Sequence, residues 1–246
     1  MSEPAQTIEG WYALHDFRTV DWPAWKTAND RHQALDEWSS LYAKWKEEEN
    51  VGHGSFAMYA IAGGKADFLL LHFRPTLEEL LDCKARFDHT ALADCTAKSY
   101  SYVSVVELSA YLSRPGINPA DDPKLAARLH PVPPTDGFAC FYPMNKRRSG
   151  NDNWYSLPMQ ERQAMMASHG QIGRRYAGSV TQVITGSIGF DDWEWGVTLF
   201  ANDPLQFKKL IYEMRFDEVS ARFAEFGPFY VGKRIAPDRA ADLFIL

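Results

Sequence analysis

The sequence predicts an α+β fold built from two fused β-α-β-β-α-β units, and three observations carry the prediction. The chain can be laid over itself. Phe68-Leu-Leu-Leu-His-Phe-Arg-Pro75 falls on Val197-Thr-Leu-Phe-Ala-Asn-Asp-Pro204 at an offset of 129 residues, and Arg86-Phe87-Asp88 falls on Arg215-Phe216-Asp217 at the same offset. Gly10-Trp-Tyr-Ala-Leu-His-Asp16 meets Gly137-Phe-Ala-Cys-Phe-Tyr-Pro143 at an offset of 127. Such an internal repeat sets the architecture before any motif does. Strand-like alternation and helical periodicity then follow one another in the same order in each half. Finally, the stretch from Ser113 to Thr135 carries six Pro and one Gly, a composition that connects units rather than building one.

In the first half, residues 9–19 alternate as a strand, and Asp30 to Glu49 reads as a helix. Gly54–Ala62 and Ala66–Phe73 form a hairpin across Gly63-Gly64. Thr76-Leu-Glu-Glu79 is a capping-box start for a second helix, and Tyr100–Leu112 is the fourth strand. The second half repeats this with strand 137–146, helix 158–169, strands 180–188 and 193–201, helix 203–224 and strand 228–236. Asp203-Pro204 opens the last helix as N-cap and first-turn proline. Units of this kind are ferredoxin-like, and two of them can pack their antiparallel sheets into a barrel-like core with helices outside. The expected division is an N-terminal structural half, 1–112, a linker, 113–136, and a C-terminal half, 137–246.

At 246 residues the chain can bury a sizeable core. Its 46% apolar and 24% charged content is that of an ordinary globular protein. Eight Trp, eleven Tyr and fifteen Phe supply either an aromatic core or a seat for a large apolar ligand. A net charge of −6 without a basic stripe argues against nucleic acid as a partner. Cys83, Cys95 and Cys140 are an odd set without metal-type spacing, so a reducing compartment is expected and a disulfide framework is not. With no leader-like N-terminus and no apolar run of membrane length, a soluble cytoplasmic protein is expected.

Strand 137–146 carries the densest chemistry. Side chains alternate along a strand, so Phe138, Cys140, Tyr142, Met144 and Lys146 share one face. An apolar face that turns into a phenol and then an ammonium group reads as a pocket wall. An amphipathic strand tyrosine, a core methionine and a solvated basic turn at Lys146-Arg147-Arg148 are the plain alternatives. His169 ends a helix after the apolar turn Ala164-Met165-Met166-Ala167, with Gly170 as the stop. A histidine there could complete the pocket with a metal or a cofactor; a C-terminal residue favoured by the helix dipole is the structural alternative.

Gln182 lies in register with Val180 and Ile184, and an amide on an apolar face needs a partner or a cavity; an outward-facing strand residue is the plain alternative. Arg215 and Ser220 lie roughly 140° apart on one helix. They therefore reach one site only if it wraps the helix or the turn is irregular. Arg215 is expected to pair at the surface with Asp217 or Glu218. Among the other histidines, His32 and His89 sit in polar helical surroundings, and His72 reads as a satisfied core or edge residue. No Cys-x-x-Cys-His occurs, so a haem here would not be held through thioethers.

These residues resemble the coproheme decarboxylases, the haem-biosynthetic, firmicute-type branch of the chlorite dismutase superfamily. The resemblance spans almost the whole chain and is most specific between Gly137 and Gly227. It implies a chlorite-dismutase-like α+β barrel in which only the second half binds haem. In the first half, His15-Asp-Phe-Arg-Thr19 stands where Tyr142-Pro-Met-Asn-Lys146 stands in the second. The resemblance makes His169 the proximal iron ligand and places Gln182 on the distal side, where chlorite dismutases carry an arginine. It gives Tyr142 the catalytic radical and Lys146 the second reacting propionate. Met144 and Trp154 line the porphyrin, and Arg128, Arg215 and Ser220 contact propionates.

The implied reaction converts iron-coproporphyrin III (coproheme, both substrate and redox cofactor) to haem b. Hydrogen peroxide drives oxidative decarboxylation of two propionates to vinyls. A homopentamer, with coproporphyrin ferrochelatase as a transient partner, is implied with it. A chlorite dismutase or haem peroxidase, disfavoured by Gln182, and a non-catalytic haem carrier are the alternatives.

Overall fold

A computed structural model describes residues 3–109 and 122–245. The first half runs β1 (Thr7–Val20), α1 (Trp22–Thr27), α2 (Arg31–Asn50), β2 (Ser55–Ile61), β3 (Phe68–Arg74), α3 (Leu77–Asp88) and β4 (Thr96–Ser109). The chain then continues with α4 (Pro123–Leu129), β5 (Phe138–Lys146) and a small hairpin of β6 (Arg148–Ser149) and β7 (Asp152–Asn153). The remaining elements are α5 (Met159–Arg175), β8 (Thr181–Gly186), β9 (Trp195–Ala201), α6 (Leu205–Met214), β10 (Ala224–Phe226) and β11 (Tyr230–Ile235).

Local chemistry explains the elements. The Thr76 hydroxyl accepts the Glu79 N–H at 3.3 Å and caps α3. Gly63, at φ 90°, supplies the left-handed turn of the β2–β3 hairpin. On α2, Ala34, Trp38, Tyr42 and Trp45 are buried at helical spacing, one apolar stripe facing the sheet.

Strand pairing repeats between the halves. The first half has the order β2-β3-β1-β4 and the second β8-β9-β5-β11; β4 pairs with β8 and β11 with β2. Every junction is antiparallel, so eight strands close into a barrel with no free edge, and β10 adds to the end of β5. The barrel interior is filled by Phe17, Tyr59, Leu71, Tyr102, Phe141, Phe200 and their neighbours. His15 is fully buried there, stacked on Phe141 at 4.1 Å and hydrogen-bonded to Thr198 at 2.8 Å. Burial holds its pKa down at about 3, so it stays neutral.

Outside the barrel the halves differ. Over β2 and β3, Trp25, Trp38, Tyr42, Trp45, Phe56, Phe68 and Phe87 close the space beneath α2 and α3. His72 sits among them between Trp45 and Phe56, and its Nδ1 has no hydrogen-bond partner among the described residues; it is a core histidine but not a satisfied one. Over the second half, α5 fully buries only Arg162. That helix rests on α6 and the turn after it and leaves the outer face of β8, β9 and β5 a half-closed wall.

Three sequence expectations change. Gly170 does not stop α5, which runs on to Arg175, so His169 lies inside a helix and not at its dipole end. The helix expected over 203–224 breaks after Met214, and a π-helical turn, Val219–Phe223, follows. Part of the expected linker is α4, laid over β1 so closely that a methyl group on Gly10 would overlap the Leu129 carbonyl. Residues 113–121 of that linker and 110–112 of the fourth strand lie outside the described residues. Cys83, Cys95 and Cys140 are buried and free. Among the described residues no helix is long and apolar enough to cross a membrane.

Candidate functional site

The wall of the site is the outer face of the second half-sheet. Tyr142 pairs with Val197 and Val197 with Ile184; in the next row Cys140 pairs with Leu199 and Leu199 with Gln182. Tyr142 and Gln182 therefore stand two strands and one pleat apart, roughly 12 Å by strand geometry. Gln182 is exposed on this face, and the cleft beside it is lined by Leu108, Arg128, Val183 and Ile184. Arg128, on exposed α4, and Gln182, on β8, are brought together although 54 residues separate them.

His169 lies on α5, which packs on α6 and the π turn that follows it. Its Nδ1 lies 2.8 Å from Asp217 Oδ2, and the Asp217 side chain is only 2% exposed. The same oxygen accepts the Ser220 N–H at 3.3 Å. A carboxylate on one imidazole nitrogen fixes the ring and leaves Nε2 as the ligating atom, the arrangement found around histidine metal ligands. The break in the helix makes this possible: after Met214 the chain turns, Asp217 drops inward, and the π turn buries Ser220.

Arg215 does not pair with Asp217 or Glu218 as expected. Asp217 holds His169, Glu218 pairs with Arg222 at 2.7 Å, and the Arg215 guanidinium lies 3.7 Å from the centre of the Phe226 ring.

Tyr142 is buried, stacked on Phe229 at 4.6 Å and tilted against Phe226 at 5.7 Å. Burial pushes its phenol pKa up, against the attraction of Arg215. Met144, half-buried, sits opposite Trp195 and Phe226. Lys146 is no solvated turn residue. Half-buried, it lies 4.8 Å over the ring of Trp154. Burial lowers its pKa to about 8, although Asp217 and Glu194 pull the other way. Trp154 is itself buried against Val219 and Phe223. Arg147 and Arg148, by contrast, point outward to Asp152, Glu225 and Glu194 at 3.6–3.7 Å.

The structure thus gathers His169, Lys146, Trp154 and Ser220 around Asp217, sets Tyr142 and Arg215 beside them, and puts Gln182 with Arg128 across the wall. Sequence reasoning missed Asp217 as the partner of His169. It also missed Glu194, which accepts the Lys146 N–H at 2.8 Å. The repeat offered a signal, since Asp217 matches Asp88, which gathers Arg18, Lys84 and Lys98.

The family model described as chlorite dismutase matches residues 31–235. A solved structure described as a novel heme-binding protein from Thermus thermophilus is 49% identical, with a TM-score of 0.95, covering 100% of this chain and 99% of that one. An arginine-to-lysine mutant of chlorite dismutase from Candidatus Nitrospira defluvii shares the fold at 18% identity, with a TM-score of 0.76 over 96% of this chain and 95% of that one. The chain belongs to the chlorite dismutase family.

Proposed function

We propose that this member of the family binds an iron porphyrin at His169 and is a coproheme decarboxylase, turning iron-coproporphyrin III and hydrogen peroxide into haem b and CO2. The observation that carries the reading is the pairing, on one strand face, of a buried phenol at Tyr142 with a depressed-pKa ammonium at Lys146, beside an imidazole oriented by Asp217. The 49% identical structure described as heme-binding supports the porphyrin. So does α5, which buries only Arg162 where α2 of the first half buries an aromatic stripe.

His169 offers Nε2, and its hydrogen bond to Asp217 fixes the ring orientation for ligation. When bound, the iron porphyrin with peroxide supplies the oxidising equivalents. Tyr142 keeps its O–H because burial disfavours the phenolate. It therefore loses electron and proton together, and the resulting oxygen radical is fit to take a hydrogen atom from a propionate β-carbon. Phe226 and Phe229 pack against the Tyr142 ring and fix its orientation. Lys146, still largely charged at pH 7, holds the second reacting carboxylate as an ion pair. Arg128, Arg215 and Ser220 anchor the other carboxylates, Arg215 with the geometry for a bidentate contact. Gln182 brings an amide where a cation would favour chlorite chemistry. The assembly that goes with this reading is a homopentamer supplied by coproporphyrin ferrochelatase.

Peroxide titration of the coproheme-loaded protein, followed by mass spectrometry of the extracted porphyrin, tests the reading. Tyr142→Phe should bind coproheme and release no CO2, its oxidising equivalents going into porphyrin bleaching or Trp154. Lys146→Ala should stop at the product with one vinyl and three carboxylates. Normal haem b formation by Tyr142→Phe at unchanged peroxide stoichiometry would overturn it.

A further inference from the structure

The cleft beside Gln182 is lined by Leu108, Arg128, Val183 and Ile184. An amide, an alkyl chain and a guanidinium do not take up a proton at neutral pH. Glu107 stands one residue before Leu108. Val105 and Val106 pair with Gly186 and Thr185, so the same register puts Glu107 opposite Ile184. It therefore joins the row of Ile184, Val197 and Tyr142 that crosses the wall. Tyr142 ends that row on one side and Glu107 on the other, about 14 Å away by strand spacing. Gln182 is its diagonal neighbour on β8, a separation of roughly 7–8 Å that long side chains bridge.

The carboxylate is held in place. Trp195, opposite Met144 on the same face, donates its indole N–H to Glu107 Oε1 at 2.9 Å. Oε2 lies along the backbone of β8, where a methyl group on Gly186 would overlap it; the glycine makes the space. Glu107 is half-buried, and burial pushes its pKa above the ordinary value. The Trp195 hydrogen bond opposes that shift and the facing Glu9 on β1 adds to it. Arg128 on α4 lines the neighbouring cleft with Leu108 and Gln182.

We propose, resting on the coproheme decarboxylase reading, that Glu107 is the proton carrier for hydrogen peroxide on the Gln182 side of the site. Glu107 Oε2 takes the proton from one peroxide oxygen, directly or through one water, and hands it to the other. That oxygen leaves as water when the O–O bond breaks. The remaining oxygen atom, and with it the two oxidising equivalents, would be taken up by the iron porphyrin, and the carboxylate ends unchanged.

Glu107→Gln keeps the length and the acceptor for Trp195 but holds no proton. In the ligand-free protein, the indole N–H resonance of Trp195, assigned with Trp195→Phe, should titrate in the wild type and stay flat in Glu107→Gln. A wild-type resonance that does not move between about pH 4 and 8 removes the titrating carboxyl and overturns the proposal. In the coproheme-loaded protein, Glu107→Gln should react with hydrogen peroxide about 100-fold or more slowly, the usual loss for a general acid–base group, with coproheme affinity unchanged. Peracetic acid, which gives up its proton more readily and has a better leaving group, should bring the variant to within about tenfold of wild type. An unslowed peroxide reaction in Glu107→Gln overturns the proposal and leaves the decarboxylase intact. A wild type that forms no haem b with either oxidant overturns the reading beneath it.

Discussion

Lys146 is where function and stability are expected to oppose each other. Burial lowers its pKa from 10.5 to about 8, so the folded protein binds this proton less tightly than the unfolded chain. Between those values the unfolded state carries more protons, and stability rises with pH. At about 1.4 kcal/mol per unit, the charged form costs the fold up to roughly 3 kcal/mol below pH 8. Lys146 keeps some contact with water, which brings the realised figure nearer 1–2 kcal/mol. Lys146→Met, with similar volume and no charge, should therefore make the ligand-free protein more stable at pH 7 by that amount. The gain should fade as the wild type loses its proton towards pH 10. Urea unfolding of both proteins at pH 7, 8.5 and 10, compared at equal slope, measures it. A variant that is less stable at pH 7, or a gain that persists unchanged at pH 10, would show that Asp217 and Glu194 fully satisfy the ammonium and refute the argument.

Three further outcomes follow from named contacts. Asp217→Asn weakens the negative partner of His169 and should lower porphyrin affinity about 10- to 100-fold, read by spectral titration. Asp88 is held well below the usual carboxylate range by Lys84, Lys98 and Arg18, against its desolvation. Its contribution is present above the unfolded pKa and lost as pH falls through the folded one, so Asp88→Asn should destabilise at pH 7 and cease to matter in strong acid, as acid unfolding will show. Gly10→Ala sets a methyl group against the Leu129 carbonyl and should lower the unfolding free energy by about 1–3 kcal/mol in urea unfolding; an unchanged value would refute the close packing of α4 on β1.

Composition and order along the chain determined much of this protein by themselves. Strand alternation put Tyr142, Met144 and Lys146 on one face, and the structure keeps them there, because a period of two is a local property of the backbone. The repeat predicted two similar halves, and the strand order recurs in each. The Thr76 cap held for the same local reason.

What the sequence did not determine are the places where distant chain decides. Gly170 reads as a helix stop, yet α5 continues because its next turns rest on α6, with Gly173 against Met214. The helix expected over 203–224 breaks where Asp217 is drawn in to His169, 48 residues away, and no periodicity foretells a π turn. The Arg128–Gln182 cleft joins the linker helix to the second half, and the Glu107–Trp195 hydrogen bond joins the two halves. Closure of the barrel through β4–β8 and β11–β2 is what brings them together. Side-chain faces follow from local geometry, whereas partners across the site exist only once long-range strand pairing has set which faces meet.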